Sequence, residues 1–251
     1  MYAIDVKPGW RAAPFGIAGV TLVFVLASTA SRAAAMFGPP SWRALFMVTC
    51  IAMAALPWLV LSRIGRRQVG LQRPRHPLWL PTGLALGALA ASACFWLGAT
   101  LYGAGPDNWF VSVSRNYRVV PTDGWSLLRL HLTFTIAACL FSPIGEEIFF
   151  RGFLQKVLED RHGRTRATLM EAALFALVHL CHHGILATSA GFQLQPVSGA
   201  LWVAQMFLLS LMFAWLRRRS DSIVPAIGAH AAFNAAMNAY IFSRLWPQLL
   251  H

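Results

Sequence analysis

The chain has 251 residues, of which 57% are apolar and 12% charged, about half the ~25% charged content of an ordinary soluble domain. That leaves too little polar surface to cover a water-soluble globule and excludes one. The formal charge of +12, from 21 Lys and Arg against 9 Asp and Glu, would suggest nucleic acid in a soluble protein, but here the basic residues sit in short clusters between apolar runs. That is the pattern of membrane loops, so no nucleic-acid partner is expected.

A helix needs about 20 mostly apolar residues to cross the hydrocarbon core. Seven segments qualify in chain order: Ala13–Ala34, Trp42–Leu61, Leu78–Tyr102, Ser126–Phe150, Ala167–Leu186, Ala200–Leu216 and Ile223–Phe242. The expected fold is therefore all-α, a polytopic membrane helix bundle of about seven transmembrane helices. The first segment follows Lys7 and Arg11 and precedes Ser31-Arg32-Ala33-Ala34-Ala35, as a signal peptide would. Its apolar run is longer than the 7–15 residues of a signal-peptide core, so it reads as a retained helix. The cysteines Cys50, Cys94, Cys139 and Cys181 lie inside apolar stretches without CxxC spacing and read as small buried residues.

Charge sets the expected orientation. Lys7, Arg11, Arg63, Arg66, Arg67, Arg73, Arg75, Lys156, Arg161, Arg164, Arg166 and Arg217 to Arg219 fall in one set of inter-span segments. The alternate set holds Arg32, Arg43, Arg115, Arg118, Arg129 and Arg244. The asymmetry predicts a cytoplasmic N-terminus and, after seven crossings, an external C-terminus. The longest external segment, Gly103 to Trp125, carries turn residues and two Trp and is expected at the interface.

Ionisable groups inside spans cost at least about 2.5–3.5 kcal/mol and mark candidate functional sites. Asp5, Asp107, Asp123, Glu159, Asp160 and Asp221 fall in loops, whereas Glu146, Glu147 and Glu171 fall in or at the edge of spans four and five. His179, His182, His183 and His230 lie in or near spans five and seven. The first three spans contain no acid or histidine, which argues against a proton or metal relay crossing the membrane.

Span four ends in Glu146-Glu147-Ile148-Phe149-Phe150-Arg151. On a helix Glu147 and Arg151 can pair at i,i+4, while Glu146 points about 100° away and lacks that partner. An unpaired, poorly solvated carboxylate suits a general base. The alternative is that both glutamates are solvated at the cytoplasmic interface. Span five carries Phe175-Ala176-Leu177-Val178-His179, with His182 and His183 following. His179 and His183 have the spacing of a two-histidine zinc site but lack the Glu of HExxH, so His179, His182 and His183 form a minority metal option. A lone intramembrane His is otherwise satisfied by a neighbouring helix. In span seven His230, Asn234 and Asn238 make an i,i+4,i+8 polar stripe, serving either interhelical hydrogen bonds or donors aimed at an oxyanion. Counting residues from the helix ends places these groups in the inner half of the membrane, around a cavity open to the cytoplasm. Such a set fits water activation for hydrolysis better than transport.

Together the three stretches resemble the EExxxR, FxxxH and HxxxN motifs of the CAAX protease and bacteriocin-processing (CPBP) family of intramembrane endopeptidases. All three are complete and in order between Ser126 and Phe242. The resemblance divides the chain into residues 1–125, three spans and an external loop, and a catalytic helical core over residues 126–243. It implies a glutamic-type, CAAX-protease-like peptidase cutting near the C-terminus of membrane-associated protein or peptide substrates, with no obligatory metal or other cofactor. Glu146 would be the general base and His179 would help hold the attacking water. His230 and Asn234 would stabilise the oxyanion, with Glu147, Arg151 and Phe175 in support. The expected location is a bacterial inner (plasma) membrane. The alternatives are a non-catalytic immunity or scaffold protein, or a His-dependent metalloprotease.

Overall fold

The computed structural model describes residues 3–11, 16–118, 124–188 and 191–249. Ala13, the expected start of the first span, and Asp123 lie outside these residues. Eight main helices form the bundle: α1 (Gly16–Phe37), α2 (Ala44–Val60), α3 (Trp79–Tyr102), α4 (Trp109–Arg118), α5 (Leu127–Glu146), α6 (Arg164–Val178), α7 (Pro196–Ser220) and α8 (Val224–Tyr240). A two-stranded antiparallel hairpin, β1 (Ile185–Thr188) and β2 (Gly191–Leu194), joins α6 to α7. The all-α polytopic bundle read from the apolar runs is the architecture observed.

Five helical segments among the described residues are long and apolar enough to cross a membrane: Gly16–Phe37, Pro40–Val60, Trp79–Tyr102, Leu127–His162 and Pro196–Ser220. Their outward faces are apolar, as lipid requires. On α5, Leu128, Leu132, Ile136, Leu140 and Ile144 form an exposed i,i+4 stripe. The other two expected spans are shorter helices, α6 of 15 residues and α8 of 17. The fifth expected segment, Ala167–Leu186, needs correction at its C-terminal end. Its α-helix stops at Val178, a 3-10 turn covers His179–Cys181, and the hairpin begins at Ile185. Gly184 at φ +108° and Gly191 at φ +114° supply backbone turns that side-chain-bearing residues resist.

Ser126 caps α5, its hydroxyl accepting from the Arg129 amide at 3.2 Å. Past Glu146 the chain continues without a break as a π-helix over Glu147–Leu154 and then an α-helical stretch, Gln155–His162. Such widened turns recur at functional sites, and this one carries Glu147 and Arg151. Small residues set the interhelical distances. A Cβ at Gly83 or Gly87 would overlap the carbonyls of Pro225 and Ala229, so α3 lies directly against α8; Gly145 on α5 likewise abuts the Cys50 carbonyl on α2.

Two hydrophobic clusters result. One gathers Trp109, Trp202, Phe213, Phe233 and Phe242 from α4, α7, α8 and the segment after it. The other gathers Val60, Leu61, Phe149, Phe150, Phe153 and Phe175. The basic segments meet at one end of the bundle: the Arg75 amide donates to the Ser220 carbonyl (2.9 Å), Arg217 to the Gln68 carbonyl (2.7 Å), and the Ile4 amide to Asp160 (2.7 Å).

Candidate active site

The polar residues singled out by their cost in a membrane converge between the two clusters. Glu146, at the C-terminal end of α5, is 0% exposed. Its Oε1 accepts from Arg32 Nη2 at 2.5 Å and from Ser142 Oγ, one turn earlier, at 3.2 Å. Its Oε2 has no hydrogen-bond partner among the described residues and faces His179 Nε2 at 3.7 Å. That separation is too long for a direct hydrogen bond.

His179 stands where α6 ends, and its Nδ1 meets the Phe175 carbonyl at 2.6 Å. A carbonyl only accepts, so Nδ1 carries a proton and Nε2 is the ring nitrogen turned toward Glu146. The FxxxH spacing therefore acts twice, through the Phe175 backbone on the His179 tautomer and through its ring, 4.3 Å from the His179 ring centre. His230 on α8 lies across the cavity floor. Its Nδ1 pairs with Glu147 Oε1 at 2.8 Å, while Nε2 approaches Ser142 Oγ at 3.4 Å. Phe213 stacks on the ring, with centroids 5.2 Å apart. Asn234, one turn further along α8, donates through Nδ2 to the Ala138 carbonyl at 2.9 Å, which leaves a second amide hydrogen uncommitted by that bond.

Beneath these groups lies a buried ionic layer. Arg151 Nη1 sits 3.0 Å from Glu147 Oε1 and its Nε 3.6 Å from Glu171 Oε1, all three side chains being 0% exposed. The guanidinium also lies over the Phe175 ring at 3.7 Å, a face-on contact that a planar cation favours. Ser210 on α7 donates to Glu171 Oε2 at 3.2 Å. The expected Glu147–Arg151 pair is thus present, with Glu171 as a third member.

Two expectations are corrected. Glu146 is not an unpaired carboxylate: Arg32, which the apolar-run reading left in an external segment, lies inside α1 and holds it. Arg32 Nη1 also meets His182 Nε2 at 3.2 Å, and its guanidinium lies 5.0 Å over Phe46. An arginine inside a 22-residue apolar helix is itself the signal that could have found it. The triad His179, His182 and His183 does not converge, because helical spacing ends at Val178. His183 turns away to Ser112 Oγ at 2.8 Å, between Trp109 and Trp202. Among the described residues no group of three His, Cys, Asp or Glu is placed to hold a metal ion. Asn238 also leaves the site, its Oδ1 accepting from Tyr117 at 2.7 Å.

Glu146, Ser142, His179, His182, His230 and Asn234 all line one cavity of about 210 Å³. Its remaining walls are mostly apolar, with Phe134, Phe141, Trp202, Met206 and Phe233 among them.

Residues 128–236 match the Rce1-like family model, described as type II CAAX prenyl endopeptidase Rce1-like. That segment is similar to the family. The match agrees with the CPBP resemblance and contains all three motifs. No curated protein and no solved structure matches the chain. The match covers less than half of the chain, and the apolar helices fit an integral membrane protein.

Proposed function

We propose that this Rce1-like protein is a glutamic-type intramembrane endopeptidase, hydrolysing a peptide bond near the C-terminus of a membrane-associated protein. The observation that carries the reading is the gap between Glu146 Oε2 and His179 Nε2. At 3.7 Å, with the carboxylate oxygen lacking a hydrogen-bond partner among the described residues, it fits one water hydrogen-bonded to both groups at ordinary distances of about 2.8 Å.

In this mechanism Glu146 Oε2 takes a proton from that water as its oxygen attacks the scissile carbonyl carbon. His179 orients the water. The oxyanion that forms is met by the protonated His230 Nε2, with Glu147 behind Nδ1 balancing the charge, and by the second amide hydrogen of Asn234. As the intermediate collapses, Glu146 returns its proton to the amide nitrogen and the C–N bond breaks, leaving a carboxylic acid and an amine, which become carboxylate and ammonium by proton transfer between them. Arg32 has two effects: it fixes Oε1 so that Oε2 faces the cavity, and it offsets the large cost of burying a carboxylate.

The test is cleavage of a library of C-terminally tailed membrane peptides by purified, detergent-solubilised protein. Wild type and Glu146→Ala are compared, each with and without chelator. Glu146-dependent, chelator-resistant cleavage is expected. Loss of cleavage on chelation would point to a metal-dependent reaction instead.

A further inference from the structure

The cavity is confined to one end of the bundle. Its rim comes from Met36 at the end of α1, Phe46 and Met47 at the start of α2, Asn116 and Tyr117 on α4, and Met237 late in α8. Among the described residues that line it, none belongs to 60–78, 155–172 or 214–226, the segments that carry the basic clusters.

Its floor is closed toward that basic end. Below Glu146 and His230 lies the fully buried Glu147–Arg151–Glu171 layer. Around that layer and onward along the same helix, Phe149, Phe150 and Phe153 pack with Val60, Leu61 and Val69. Water or a peptide arriving from the basic end would have to displace this packed ionic and apolar region. At the other end a built rim is present: Arg43 Nη1 bonds the Ala35 and Met36 carbonyls at 2.7 and 2.9 Å and Asn116 Oδ1 at 3.2 Å, tying the α1–α2 turn to α4.

Basic segments remain in the cytoplasm. Combining that rule with the one-sided cavity, we propose that the site takes its substrate from the non-cytoplasmic side: the apolar tail of a translocated membrane polypeptide, rather than a tail presented from the cytoplasm. The chemistry of the walls agrees, since Met36, Met47, Met206 and Met237 with the aromatic residues form an adaptable apolar slot. This inference rests on the endopeptidase reading for the word substrate, but not for the side of access.

The experiment uses the full chain in a bacterial inner membrane. Single cysteines are introduced at the rim (Asn116→Cys, with Met47→Cys as a second position) and at the basic end (Arg161→Cys). Each is probed in spheroplasts with a membrane-impermeant maleimide, with the unaltered chain as blank. Rim positions are expected to label in intact spheroplasts, and Arg161→Cys only after permeabilisation. In a second arm, one apolar tail is fused to carriers that expose it on either side of the membrane. Only the non-cytoplasmic tail is expected to be cut by wild type, and neither by Glu146→Gln. Rim labelling only after permeabilisation, or cleavage of the cytoplasmic tail alone, would overturn the proposal. Labelling as expected with neither tail cut would uphold the side of access and count against the endopeptidase reading instead.

Discussion

Arg32 and Glu146 stand 114 positions apart in the chain, yet their side chains meet at 2.5 Å where neither is more than 2% exposed. The first helix therefore contributes directly to a site whose motifs all lie in the second half. Breaking a buried ion pair on one side leaves an uncompensated charge and costs about 3–5 kcal/mol. Arg32→Met should lower the thermal unfolding temperature in detergent and abolish cleavage. Arg32→Met combined with Glu146→Gln should recover much of that stability but no activity. Equal unfolding temperatures for Arg32→Met and wild type would show that the pair does not hold the site.

The layer under the site makes a second demand. Removing the guanidinium in Arg151→Met strands Glu147 and Glu171, both 0% exposed, so folded yield should collapse, again at a cost of about 3–5 kcal/mol. Arg151→Lys should rescue only partly, because an ammonium cannot lie flat on Phe175 at 3.7 Å while reaching both carboxylates. Size-exclusion profiles and thermal melts of the two variants read this directly. Full rescue by lysine would mean that charge alone suffices.

On the proposed mechanism the polar stripe of α8 separates into chemistry and scaffold. His230 Nε2 faces the cavity, whereas the Asn238 side chain is held by Tyr117 at 2.7 Å. Replacing an oxyanion donor typically costs about 10²–10³ in kcat, so His230→Gln should lose that much turnover with KM little changed. Asn238→Ala should leave turnover near wild type and cost about 1 kcal/mol of stability, the net worth of one hydrogen bond. Steady-state kinetics on the same tailed substrate compares them. A large kcat loss in Asn238→Ala would move that residue into the site.

Backbone contact at Gly145 couples packing to catalysis. An added methyl would overlap the Cys50 carbonyl, and overpacking costs about 1–3 kcal/mol. Because Glu146 is the next residue, Gly145→Ala should lose cleavage out of proportion to stability. Gly87→Ala, overlapping the Ala229 carbonyl, should lose stability by a similar amount with a smaller effect on rate. Paired melting and activity measurements distinguish the two positions.

Much of the site was legible because its logic is local. The i,i+4 spacing of Glu147 and Arg151 specifies their pair, and the price of ionisable groups in lipid isolates Glu146, Glu171, His179 and His230. What escaped was long-range or depended on where helices stop. Arg32 follows a long apolar run and sits beside Ser31, so it reads as a loop cation; only the position of Glu146 in space shows its purpose. The chain after Val178 is still rich in apolar residues, Ile185-Leu186-Ala187 among them, and conceals a turn made by Gly184 and a hairpin. Counting depth from helix ends also failed for Glu146, because the helix that carries it runs on to His162. The carboxylate is therefore near the middle of that helical stretch, which runs from Leu127 to His162.

The central claim is that the Glu146 carboxylate activates the water. Its most direct test is Glu146→Gln, which keeps the shape and the acceptor oxygen while removing the base. Capture of a tailed substrate, read by photo-crosslinking from a probe beside the scissile bond, should persist at wild-type levels while single-turnover cleavage falls by at least about 10³. Cleavage within tenfold of wild type, with capture intact, would contradict the account.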